Sequence, residues 1–226
     1  HGMIKNISNL GDAALYCDFG KEVDKDTNTK VIKYFRNIKK EKINGIINLT
    51  PSYNKLIISF DLKKTNYTKV KKLIENLDYE DNEEFKSNKI EIPLCIDKSF
   101  ALDIQRLEQN LKISREKIYE SFFQKEFFCY MTGFIAGMPF LGDLEVNMRA
   151  NRLETPRVKV PKGSVGVTEQ FANIYTFESP GGWNIIGNTP VNVFDKTNEL
   201  RPNLINPGDT VIFEQISKEE YGKYND

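Results

Sequence analysis

Two arginines five residues apart, Arg152 and Arg157, stand in the segment NRLETPRVKVPKGSVG together with Lys159 and Lys162. A guanidinium binds a carboxylate or phosphate through paired hydrogen bonds, so Arg152 and Arg157 are natural anchors for a small carboxylate substrate. Rim salt bridges to Glu145 or Glu154 are the other use of the same charges. Upstream, GFIAGMPFLGDL (residues 133–144) threads Phe134, Met138, Phe140 and Leu141 between three glycines. Such a loop either lines an apolar pocket and partner surface or forms a buried connection. Downstream, SPGGWNIIGNTP (residues 179–190) sets the single tryptophan, Trp183, behind Gly181 and Gly182 and ahead of Asn188. The glycines let backbone pass close to a neighbour, and the ring offers a large apolar area with one N–H donor. Trp183 is then either a core residue or one wall of a site completed by another subunit.

Several chemistries are excluded by what the chain lacks. Its only histidine is His1, and His1–Gly2 ahead of Met3 reads as the remnant of a cleaved tag. Without a native histidine, Ser-His-Asp or Cys-His nucleophile activation and histidine-ligated metals are excluded. Gly181–Gly182 is no phosphate loop, because no Lys-Ser or Lys-Thr pair follows and no helix begins there. The cysteines, Cys17, Cys95 and Cys129, are odd in number, far apart and embedded in apolar segments, which reads as reduced core thiols. Lysine plus arginine, 32, equals aspartate plus glutamate, 32, so no net field favours nucleic acid or an anionic membrane. With no apolar run near the ~20 residues of a membrane helix and no leader-like N-terminus, a cytoplasmic protein is expected.

The elements that must position these residues change character along the chain. Of 14 glycines, 10 lie at or after Gly133, and of 9 prolines, 7 lie at or after Pro139, so long elements give way to short ones joined by turns. In the first half, AALYCDF reads as a strand, and Val31, Ile32, Phe35 and Ile38 recur at helical spacing behind Thr27 or Asn28 as N-cap. GIINL and KLIISFD are strands around the turn at residues 51–54. A second helix carries Tyr67, Val70, Leu73, Ile74 and Leu77, and KIEIPLC is a further strand. The resulting β-α-β-β-α-β order is the ferredoxin-like arrangement. The charged run 78–88 reads as a solvated loop. Two short helices follow, around Phe100 to Leu111 and, capped by Ser114, around Ile118 to Phe122. From FFCYM onwards the short strands predict a closed barrel or sandwich. The expected organisation is an α+β domain over residues 3–126 and an all-β domain over 127–226.

Taken in order, GFIAGMPFLGDL, TPRVKVPKGSVGV, SPGGWNIIGNTPVNVFD and PGDTVIF resemble the blocks GFxPGFxYLGGL, TPRxxVPxGSVGI, SPGGWxLIGRTPxxxFD and AGDxVxF of the allophanate hydrolase subunit 1 family. GDAALYCDFG and PSYNKLIISFD resemble its opening blocks, so the likeness covers essentially the whole chain. That family includes the B subunit of bacterial 5-oxoprolinase, KipI-type inhibitors of a sensor histidine kinase, and part of the carboxyltransferase region of urea carboxylase. The resemblance implies an α/β domain followed by a cyclophilin-like barrel and a homologous larger partner subunit. It implies ATP-dependent opening of 5-oxoproline to glutamate, with ATP and Mg bound by the complex and no cofactor held by this chain alone. Inhibition of a sensor kinase, or a carboxyltransferase role, are the alternative activities it carries. In this frame Arg152 and Arg157 engage the substrate carboxylate or the partner, the loop with Phe134, Met138 and Phe140 forms one wall, and Gly181 to Trp183 another. The chain departs from the family at Phe122, where a histidine is usual, at Asn188, where GRTP has arginine, and in PLCIDKSFALDI (93–104), which keeps Asp103 but loses paired glycines and an acid.

Overall fold

The computed structural model describes residues 3–77 and 87–224, which fall into two compact units, His1–Lys86 and Ser87–Asp226. The tag-like residues 1–2 and nearly all of the charged run, 78–86, lie outside the described residues.

The first unit runs β1 (Asn6–Asn9), β2 (Ala14–Asp18), α1 (Lys25–Glu41), β3 (Ile46–Pro51), β4 (Lys55–Phe60) and α2 (Tyr67–Glu75). Its antiparallel sheet has the order β1-β2-β4-β3. Alternation on β2 and β4 buries Leu15, Cys17, Leu56, Ile58 and Phe60, which pack with Val31, Tyr34, Ile38, Val70 and Ile74 from the helices. The N-cap of α1 is Asp24, not Thr27 or Asn28: its carboxylate accepts the Thr27 N–H at 2.8 Å. Asn28 instead turns inward and donates to the carbonyls of Ser52 and Tyr53.

The second unit holds β5 (Lys89–Cys95), α3 (Ile104–Leu111), α4 (Arg115–Gln124), β6 (Phe127–Thr132), β7 (Pro139–Gly142), β8 (Arg157–Val160) and β9 (Ser164–Thr168), then β10 (Phe171–Ile174), β11 (Ser179–Gly181), β12 (Asn184–Asn188), β13 (Thr210–Ile216) and α5 (Lys218–Lys223). Seven strands close a barrel in the order β10-β7-β6-β13-β5-β12-β9, and β8 and β11 form a separate two-stranded ribbon. An α+β arrangement with a closed barrel is therefore present as expected. The boundary is not where expected: the division falls at residues 86/87 rather than 126/127. The strand assigned to the ferredoxin-like sheet, β5, pairs along its whole length with β13, in parallel, and at its end with β12. Ile92 and Leu94 join the barrel core, as do Ile104, Leu107, Ile118 and Phe122 from α3 and α4. The short β1 takes the edge beside β2 in the first unit. Strand periodicity predicts a strand at 89–95 but carries no information on which sheet receives it.

No helix among the described residues is long and apolar enough to cross a membrane. All three cysteines are buried and free. Burial alone pushes the Cys17 thiol up to about 12, and it raises Cys129 further, with Asp209 adding to the effect. A thiol reagent at pH 8 should therefore leave Cys17 and Cys129 unlabelled in the native protein and label both in denaturant. Fast labelling of either in the native state would contradict this packing.

Candidate functional site

The barrel wall formed by β9, β10 and β12 has an inner and an outer side fixed by strand alternation. Val165, Val167, Ala172, Ile174 and Ile186 point into the core, so Gly166 and Asn173 face outward. Over that outer side lie Met138, Phe140, Tyr175 and Trp183. A Cβ at Gly166 would sit 2.8 Å from both Asn173 Oδ1 and Trp183 Cβ, so only glycine admits the close approach of amide and indole. Phe140 meets the Trp183 ring edge-on at 5.8 Å. The Tyr175 hydroxyl presses against the Cα of Gly181, where a Cβ would collide with it. Met138, Phe140, Gly181, Gly182 and Trp183 are thus brought together, with the Met138, Phe140 and Trp183 side chains buried as a packed layer.

The two arginines differ. Arg157 donates from both terminal nitrogens to Asp103, at 2.5 and 2.7 Å, and Asp103 also accepts the Ile185 N–H at 2.7 Å. Asp103 starts α3 without capping it; its side chain is spent on these partners, and its own N–H donates to the Ile185 carbonyl at 2.9 Å. Hydrogen bonding to Asp103 raises the Arg157 guanidinium above its ordinary range against the opposing effect of burial. Arg157 is therefore not a free anchor: its partner is neither Glu145 nor Glu154 but a buried carboxylate 54 residues away in sequence. Arg152 keeps an exposed guanidinium that makes no ion pair among the described residues. Its backbone carbonyl accepts from Arg106, which also binds the Asn151 carbonyl and Asn184 Oδ1. Leu153 N–H donates to the Gly182 carbonyl at 2.8 Å. Arg152 is thus held by its main chain beside the glycine pair, with its Cβ 3.9 Å from where a Gly182 Cβ would be.

Tyr175 joins these parts. Burial raises its phenol, and the Asn173 amide, the Trp183 backbone N–H, Arg152 and Arg157 all act in the opposite sense. The hydroxyl therefore stays protonated at neutral pH and lies within the field of both arginines. Asn173 is fully buried; its Nδ2 reaches Met138 Sδ at 3.8 Å, and its Oδ1 has no hydrogen-bond partner among the described residues. Asp103, Arg106, Asn173 and Tyr175 are additions to the residues expected from sequence. The period-two spacing of Asn173 and Tyr175 in ANIYT was the available signal for the last two.

Three expected features lie elsewhere. Phe134 projects away with 85% of its surface exposed. Asn188 is buried, donating to the Lys162 carbonyl at 3.0 Å and accepting from the Tyr221 hydroxyl at 2.7 Å, so it ties α5 to the barrel and is no substrate ligand. Phe122, where the family has a polar ring, packs between Phe127 and Phe213 at 4.9 and 4.8 Å. A void of about 20 Å³ remains beside it, room for about one water. A larger groove of about 450 Å³, lined by Ile96, Lys98, Arg115, Tyr119 and Phe123 among others, contains none of the site residues, and its Arg115 is paired with Glu108.

Two substitutions probe this arrangement. Asp103→Ala leaves Arg157 without its partner and the Ile185 N–H orphaned, and should cost about 3 kcal/mol in denaturant unfolding. Asn173→Leu places a bulkier group against Gly166 and removes the amide that Tyr175 and Met138 meet, and should lower the thermal midpoint by about 2–4 °C. An unchanged or raised midpoint would show that the amide interactions add nothing to the fold.

Residues 5–205 match the family described as carboxyltransferase domain, subdomain C and D. The chain is 30% identical over 232 residues to the 5-oxoprolinase B subunit of Bacillus subtilis, covering 97% of this chain and 96% of that one. It is 31% identical to the 5-oxoprolinase B subunit of Haemophilus influenzae over 212 residues, covering 92% of this chain and 96% of that one. Among solved structures, TTHA0988 superposes with a TM-score of 0.82 at 28% identity; the match covers 91% of this chain but only 40% of that longer one. With the sequence matched nearly end to end and the barrel in place, the chain belongs to the carboxyltransferase-domain family that includes the B subunits of 5-oxoprolinase.

Proposed function

We propose that this chain is the B-type component of an ATP-dependent 5-oxoprolinase, opening the cyclic amide of 5-oxoproline to glutamate only together with a homologous larger subunit. The observation that carries this reading is Arg152, an exposed cation without a carboxylate partner among the described residues, held beside Tyr175, Gly182 and Trp183 while its neighbour Arg157 is neutralised internally. A substrate carboxylate at Arg152 gains a charge-assisted, bidentate contact. Beneath Arg152 the side chains of Phe140, Tyr175 and Trp183 are buried as a packed layer, so their part is to hold the glycine pair and the Arg152 main chain in place.

ATP and its metal are expected of the complex rather than of this chain alone. Gly181–Gly182 leads into β12, not into a helix N-terminus, and among the described residues no group of three or more His, Cys, Asp or Glu could hold a metal ion. The chain's own residues bind and orient one substrate and shield it from water on one side.

The test is co-expression with the larger subunit and measurement of ATP-dependent glutamate release from 5-oxoproline. Arg152→Ala should raise KM for 5-oxoproline about 10–100-fold with a smaller effect on kcat, the worth of one charge-assisted contact of about 1.5–3 kcal/mol. Arg152→Lys should recover only part of the loss, since the ammonium cannot pair in a bidentate manner. A well-folded complex that releases no glutamate would refute the assignment.

A further inference from the structure

The loop that delivers Met138 and Phe140 to the site begins with a residue that does nothing for the isolated chain. Phe134 has φ 68°, in the left-handed region where a bulky side chain is an outlier, and 85% of its surface is exposed. Both properties are unfavourable in water: the backbone is strained and the ring buries almost nothing. The conformation is nevertheless firmly held. Gly133 N–H donates to the Met138 carbonyl at 3.0 Å, Ile135 N–H to the Gly133 carbonyl at 2.8 Å, and Met138 N–H to the Ile135 carbonyl at 3.2 Å. The Thr176 hydroxyl donates to the Ala136 carbonyl at 2.6 Å. Gly137, itself at φ 70°, lies so close against Phe194 that a Cβ there would fall 2.8 Å from the Phe194 Cβ. Phe194 in turn meets Phe177 edge-on at 5.7 Å, and Phe177 is also exposed. An aromatic side chain is thus carried on a braced backbone loop, whose Gly137 lies against a second pair of rings.

We propose that Phe134 is the anchor of the interface with the larger subunit, inserting into an apolar pocket of that protein while Phe177 and Phe194 form the apolar surface around it. This rests on the reading that the chain acts with such a partner. The relatives indicate what would cover the loop. In TTHA0988 the counterpart of this chain is only 40% of a longer polypeptide, and the nearly full-length relative from Bacillus subtilis is named as a subunit. Large aromatic side chains are among the residues that dominate binding at protein interfaces, and a backbone already held in place leaves less freedom to be lost on docking.

The test is Phe134→Asn, followed through the thermal midpoint of the chain alone and through calorimetric titration against the larger subunit, with Val146→Asp as an exposed control. Asparagine tolerates the left-handed region, so the midpoint of the chain alone should hold or rise. Affinity for the larger subunit should fall at least about thirtyfold, the mark of an interface hot spot, while the control binds as the wild type does. Binding by Phe134→Asn that equals the wild type would overturn the anchor and leave the proposed function standing. A lowered midpoint would also overturn it, by showing that Phe134 supports its own chain. Failure of the wild-type chain to bind the larger subunit would remove both proposals.

Discussion

One carboxylate organises the functional face of the barrel. Asp103, nearly inaccessible to solvent, accepts both terminal nitrogens of Arg157 and the backbone N–H of Ile185. Those three bonds tie the start of α3 to the β8–β11 ribbon and to β12, elements that approach one another only in the folded barrel. A charge buried at this depth is tolerated because both of its oxygens are answered, in part by a guanidinium. With β8 fixed, β11 is fixed through its pairing, and Gly181 is brought under the Tyr175 hydroxyl. The remaining cation, Arg152, is left to solvent because Arg157 absorbs the buried carboxylate nearby. The division of labour between two arginines five residues apart is thus set by a residue far from both in sequence.

Much of this fold can be read in the residues, and the parts that cannot have physical reasons. The shift to glycine- and proline-punctuated short strands after Gly133 predicts a closed barrel, and alternation predicts which side of each strand is apolar. The domain boundary is harder, because Ile90, Ile92 and Leu94 would be buried equally well in either sheet. Nothing local says that their partner is the strand at Thr210–Ile216, some 121 positions later by the pairing of Thr210 with Lys89. Of the site, the aromatic residues and glycines are visible because they cluster in short blocks. The Asp103–Arg157 pair is not, since ion pairing depends on a contact the linear order conceals. Asn173 and Tyr175 show only as polar positions in a strand, which by itself equally describes a solvated edge.

Two departures from the family's blocks have become structural here. Phe122 fills the space between α4 and the barrel with rings of Phe127 and Phe213 around it, so a polar group at that point would need partners the surroundings do not offer. Asn188 uses both ends of its amide, one on the Lys162 carbonyl and one on Tyr221, and so helps hold the C-terminal helix α5, whose start is secured by the Ser217–Glu220 capping box. The candidate site on the outer side of β9, β10 and β12 uses neither side chain.

The parallel pairing of β5 with β13 bears on how the chain is made as well as how it stands. The first unit is built from neighbouring strands and helices, with all its sheet contacts among its own residues, and can form as soon as it leaves the ribosome. The barrel has no such freedom: the strand that opens it and the strand that closes it lie at opposite ends of the second unit. Until synthesis reaches Ile216, β5 exposes Ile92 and Leu94 with no partner on one side. The nascent protein thus passes through a stage with a finished first unit and an unsealed second one, when unpaired strand edges are the surfaces most open to chaperones and to wrong pairing.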